Sequence, residues 1–121
     1  MIISFAQTSP AVLDGSKTVT RRFWNDPYAR RFKAGSVHQA WDRSPRTGKG
    51  RRIGEILITR TPYKELLGLL TEEHFQREGG TRFWKDREEF IECMGGPTRV
   101  PWVVEFKLLN SHRGQLQHRL L

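Results

Sequence analysis

The sequence predicts one α+β domain whose strands close into a small barrel. Apolar or alternating runs stand at both ends of the chain, and helix-capping signals lie between them. At 121 residues the chain is near the commonest size for a single domain with one core. The apolar fraction is only 36% but includes four Trp and seven Phe, so the core is small and rich in rings.

Each element has a local reason. Ile2 to Phe5 reads as a first strand. Ser9-Pro10 starts a helix, with Ser at the cap and Pro first inside it. Gly15, suited to the left-handed conformation, ends that helix after little more than one turn. Val19 to Phe23 is extended, and Trp24 to Ala34 is an irregular segment with cations around Phe32. Gly35 opens a strand through Val37 to Trp41. Asp42 to Gly50, with Pro45 and two glycines, is a basic hairpin tip. Arg51 to Thr59 alternates around Ile53, Ile56 and Ile58, with a slip near Gly54 and an end at Pro62. Thr71 starts a helix with Glu72 and Glu73 in its first turn, where the helix dipole favours acids, and Gly79-Gly80 stops it. Lys85 to Met94 is a further helix with Phe90 and Ile91 inward. Val100 to Leu108 is the clearest strand, with Val100, Trp102, Val104 and Phe106 on one face and Val103, Glu105 and Lys107 on the other. Trp84 and Trp102 belong to the core, and Cys93 is a small buried apolar residue. Residues 1–109 form the domain and 110–121 a tail.

The chain carries 21 Lys and Arg against 13 Asp and Glu, a net charge of +8. Residues 1–60 hold 12 basic and 4 acidic side chains, whereas residues 61–121 hold 9 of each. The whole surplus lies in the N-terminal half, which points to a polyanionic partner, nucleic acid first. Cys93 is the only cysteine, which excludes an intrachain disulfide and suits a reducing cytoplasm. No signal-peptide pattern or membrane-spanning run is present. The four histidines lack ligand spacing and one cysteine cannot anchor a zinc site, so no metal or cofactor is expected. Trp24, Tyr28 and Trp41 sit among cations and are candidates to stack on bases, Trp24 first because Arg22 is close by.

The half that holds the charge surplus contains Gly15-Ser16-Lys17-Thr18-Val19-Thr20-Arg21-Arg22. An amine, two hydroxyls and two guanidiniums in one turn-plus-strand can hold an anion, or activate a hydroxyl when a base is near. The spacing alone equally describes a basic surface turn. Residues 17 and 20 point to opposite faces of a regular strand, so Lys17 must lie in the turn to share a pocket with Thr20. Glu78 stands in the last turn of its helix, where a carboxylate is unfavourable by about 0.3–1 kcal/mol. Helices tolerate such a residue at an exposed end; alternatively Lys17 or the Arg21-Arg22 pair compensates it.

These residues resemble the ASCH domain family of the PUA-like superfamily. The resemblance rests on Gly15-x-Lys17-Thr18-x-Thr20-x-Arg22, Gly35, Thr71-Glu72-Glu73-His74 leading to Glu78, and Val103-Val104-Glu105-Phe106, and spans residues 2–108. It implies a PUA-like barrel with flanking helices and a cleft for RNA or a nucleoside. Some small bacterial members are amidohydrolases that remove the acetyl group of N4-acetylcytidine, other members are described as ribonucleases, and a non-catalytic RNA-binding module is a further alternative. Carried onto this chain, the amidohydrolase residues are Lys17, Thr20 and Glu78. Threonine would attack, lysine in a partly dry cleft would take its proton, and Glu78 would orient the lysine or protonate the leaving amine. Backbone amides of Gly15 to Thr18, or Arg21 or Arg22, would hold the oxyanion. Gly15, Thr18, Arg21, Arg22 and Trp24 would contact the substrate. Family members often carry Gly-Asp where this chain has Gly35-Ser36. The loop at 42–51 exceeds the smallest members and favours a longer RNA, with phosphates against Arg43, Arg46, Lys49, Arg51 and Arg52.

Overall fold

The computed structural model describes residues 1–111, which form one five-stranded sheet and four short α-helices. In chain order these are β1 (Ile2–Ser4), α1 (Ser9–Leu13), β2 (Val19–Arg22), α2 (Asp26–Ala29), β3 (Val37–Trp41), β4 (Arg52–Lys64), α3 (Glu72–Glu78), α4 (Arg87–Cys93) and β5 (Trp102–Ser111). The sheet order is β1-β3-β4-β5-β2, with β1 parallel to β3 and the other pairs antiparallel. The sheet curls into a half-barrel.

This α+β arrangement is compatible with the small barrel and flanking helices expected from the sequence. β1 and β2 are the two edges, and no ladder joins them among the described residues. A side chain spans that seam: an Arg22 NH group donates to the Ser4 carbonyl at 2.8 Å, with the guanidinium carbon 5.3 Å from the Phe5 ring centre.

The main core lies on the concave face, where Ile3, Phe5, Val12, Phe32, Ile56, Ile58, Val104 and Phe106 pack together. A second cluster of Leu67, Leu70, Phe75 and Phe90 joins α3 to α4, with Trp84 packed against it. Each of these helices starts on a side-chain cap: Thr71 accepts from the His74 amide and Asp86 from the Glu89 amide. At Gly79 (φ +132°) α3 ends as the sequence requires, and a Cβ there would meet the Phe83 ring.

Several local expectations are corrected. The segment 24–34 contains α2, capped by Asn25 with proline in its first turn. β4 does not end at Pro62 but runs to Lys64, because the ladder with β5 slips between Arg60 and Tyr63 and leaves the proline outside the regular pairing. The slip at Gly54 occurs where β3 shifts register between Ala40 and Trp41. β5 begins at Trp102 and includes Asn110 and Ser111, which the sequence assigned to a tail; the rest of that segment, 112–121, lies outside the described residues. Val103 is as buried as Val104, since the Arg77–Glu105 ion pair holds α3 over that second face of β5. Cys93 is exposed, because Phe90 supplies the buried position of α4. No helix among the described residues is long and apolar enough to cross a membrane.

Candidate functional site

The turn after α1 delivers Lys17 ahead of β2 rather than within it, which the opposed parity of residues 17 and 20 demanded. Along β2 the side chains then alternate. Thr20 pairs opposite Val104 on the core face, and Arg21 opposite Val103 on the face covered by α3. Glu78, at the end of α3, meets this strand from the side.

Its carboxylate is held from two directions. Lys17 Nζ donates to Oε1 at 2.9 Å and an Arg21 NH group to Oε2 at 3.0 Å. The lysine also donates to the Glu78 backbone carbonyl at 2.8 Å, satisfying an orphan acceptor at the helix end. The compensation expected for an acid at the negative end of a dipole is therefore present twice over. Lys17, Thr20, Arg21 and Glu78 are each no more than 4% exposed. Burial pulls the Lys17 ammonium below its ordinary pKa, with Glu78 opposing and the two arginines adding to the shift.

Thr20 joins the cluster through Arg22. Arg22 Nε donates to Thr20 Oγ1 at 3.1 Å, and the Glu78 charge acts on the Arg22 guanidinium, whose pKa burial lowers. The structure thus brings Lys17 to Glu78 directly and Thr20 to the pair by way of an arginine.

The amides expected to hold an oxyanion are engaged elsewhere. Gly15 N donates to Val12 O, Ser16 N to Asp14 Oδ1, Lys17 N to Ala11 O and Thr18 N to Arg77 O. A hydrogen-bonded turn has no free donor to offer, so these amides do not form an oxyanion hole. Arg21 is likewise committed to Glu78, Glu65 and His74. Arg22 remains, half-buried and lining open space.

That open space is the seam itself, a concavity of about 470 Å³ between β1 and β2. Its walls include Ser4, Arg22, Trp24, Tyr28, Ser44 and Arg46. Trp24 stacks on Phe32 at 4.4 Å and 22°, and Tyr28 meets Trp24 edge-on at 5.0 Å. Lys17, Thr20 and Glu78 lie behind this wall and do not line it.

The cations of the 42–51 loop separate. Arg46 reaches the seam, and Arg43 lines another hollow with Gln7, Ser9 and Asp42. Lys49 and Arg51 are exposed, and Arg52 pairs with Glu55 at 3.3 Å. Gly15 lies exposed at the end of α1, and the Thr18 hydroxyl accepts from Arg77 Nε at 2.8 Å.

Sequence reasoning missed a second set of partners on the α3 face. His74 Nδ1 lies 3.1 Å from an Arg21 NH group, Arg77 pairs with Glu105 at 3.0 Å, and Tyr63 donates to Glu105 at 3.3 Å. Burial pushes the His74 imidazole down, aided by Arg21 and Arg77, and pushes the Tyr63 phenol up, aided by Glu105. Only the i, i+3 spacing of His74 and Arg77 on α3 hinted at this set. No three-residue metal-binding group occurs among the described residues.

Neither a protein-family model nor a curated protein sequence matches the chain. Among solved structures the chain resembles a crystal structure of a protein from Enterococcus faecalis V583 reported with the family model DUF984. The TM-score is 0.58 at 17% identity, over 88% of this chain and 72% of that one, a likeness of fold.

Proposed function

We infer that the chain is an ASCH-type, PUA-like domain that binds RNA or a modified nucleoside in the seam between β1 and β2, with amidohydrolase chemistry in the buried cluster behind it. One observation supports this above the others: Arg22 lines the concavity and also donates to Thr20 Oγ1, so hollow and cluster share a residue. Trp24 and Tyr28 offer aromatic surface for a base, and Arg22 and Arg46 offer charge for an anion.

In the reaction, Thr20 Oγ attacks the acetyl carbon of N4-acetylcytidine while Lys17, its pKa lowered by burial, accepts the hydroxyl proton. Arg22 stabilises the oxyanion. Collapse breaks the carbon–nitrogen bond, the proton passes to the cytosine amine through Lys17 or Glu78, and water hydrolyses the threonine ester to release acetate. The lysine must first give up a proton, to Glu78 or to solvent, and leave its bonds to Glu78. Those bonds favour a second reading, a non-catalytic RNA-binding module in which the ion cluster only braces the seam.

Incubation with N4-acetylcytidine decides between the two. Wild type releases cytidine, and Thr20→Val lowers the rate by about 100-fold or more with an unchanged circular dichroism spectrum. Salt-dependent RNA binding without turnover supports the module, and chelator-sensitive RNA cleavage supports a ribonuclease.

A further inference from the structure

A second hollow, of about 550 Å³, adjoins the seam across α2, and its wall includes Arg30, Phe32, Lys33, Thr61 and Trp102. Tyr28 lines the seam and the next residue, Ala29, lines the second hollow. Trp24 in the first wall stacks 4.4 Å from Phe32 in the second, so one aromatic stack is the partition between them.

The second wall has the same chemistry as the first. It presents two exposed cations, Arg30 and Lys33, and no acid. Among the described residues no carboxylate lies within ion-pair distance of either. The nearby acid of α2, Asp26, is bound by Lys64 at 2.9 Å, and that same ammonium lies 5.2 Å from the Trp102 ring centre. The Arg30 charge also acts on Asp26, and Arg30 and Lys33 are both exposed. An indole beside two exposed cations suits a planar ring that carries an anion.

We propose that this hollow seats the neighbouring nucleotide of a single-stranded RNA whose first nucleotide occupies the seam. Arg30 and Lys33 contact its phosphate and Trp102 contacts its base. Proteins that hold single strands combine cationic grooves with aromatic platforms in this way. The assignment rests on the seam being the nucleotide site, and it makes the ligand an oligonucleotide, because a free nucleoside fills one hollow and leaves the other empty.

Calorimetric titration with cytidine 5′-monophosphate, dicytidylate and tetracytidylate at several salt concentrations tests the proposal. Wild type binds dicytidylate about ten-fold tighter than the monophosphate, the gain of one stacked base. Arg30→Ala/Lys33→Ala, confined to exposed side chains, removes most of that gain and leaves the monophosphate affinity unchanged. It also flattens the slope of log K against log salt by about 0.7 for each phosphate that is no longer neutralised. Wild type that binds all three ligands equally, or a double variant that keeps the length dependence, overturns the second hollow and leaves the seam standing. Wild type that binds none of the three overturns both, and Arg46→Ala that leaves monophosphate binding intact counts against the seam and, with it, against a strand that runs through both hollows.

Discussion

Glu78 is a buried carboxylate held by two buried cations, and the two sides of that arrangement differ in how replaceable they are. Lys17→Met leaves Glu78 paired with Arg21 at 3.0 Å, so one charge of three disappears and the remaining two stay matched. Glu78→Gln leaves an ammonium and a guanidinium buried together without the carboxylate they share. Breaking a buried pair so that charge is stranded costs about 3–5 kcal/mol. Glu78→Gln is therefore expected near that range and Lys17→Met well below it, measured by chemical denaturation at pH 7. Equal losses would overturn the view that the carboxylate is the centre of the cluster. His38 gives a second prediction at this scale. Burial lowers its pKa from 6.5, with the N-terminal charge adding to the shift, and its Nδ1 is buried without a partner. The unfolded chain binds a proton at His38 below pH 6.5 that the folded chain resists. The stability contribution is complete above pH 6.5 and is lost as pH falls toward the lowered folded value. Urea midpoints should fall between pH 7 and pH 5, and His38→Gln should reduce that drop.

Short elements depend on their ends. α3 has seven residues, too few to persist without its caps and its packing on Phe90. Gly79 both terminates it and fixes the carbonyl to which Lys17 donates. Gly79→Ala would strain the backbone and press a methyl on the Phe83 ring, at an expected cost of about 1–3 kcal/mol. The midpoint of thermal unfolding checks this, and a variant as stable as wild type would mean that the turn relaxes freely. At this scale much of the chain was legible. Gly15, Thr71 and Gly79-Gly80 marked helix boundaries because capping is a local interaction between residues close in sequence. α2 carried the same signals, Asn25 and Pro27, within a segment otherwise dominated by cations. Pro62 misled because a proline in a strand is tolerated only where the ladder slips, and a slip belongs to two strands at once.

For the whole molecule, the distinctive feature is a sheet left open along one seam. β1 is three residues long, pairs with β3 on one side, and is tied to β2 by the Arg22 to Ser4 bond on the other. Arg22→Met should loosen β1 selectively. Its amides are expected to exchange about ten-fold faster, from the loss of one charge-assisted hydrogen bond, while β4 and β5 keep their protection. Uniform acceleration across all strands would refute a local role for Arg22. The same variant empties one wall of the concavity, so a weaker affinity for oligocytidylate should accompany the looser seam.

What the sequence determined by itself was set by near neighbours along the chain: the α+β class, most element positions and the charge surplus. Hydrophobic period and capping act over a few residues and leave a visible pattern. Tertiary structure alone decided that Lys17 and Arg21 both answer that carboxylate, that Glu65, His74 and Glu105 complete the network, and that the barrel stays open at Arg22. Those outcomes depend on strand register and on which edge each strand occupies. Register is fixed by contacts between residues as far apart as 17 and 78, and no local pattern encodes them.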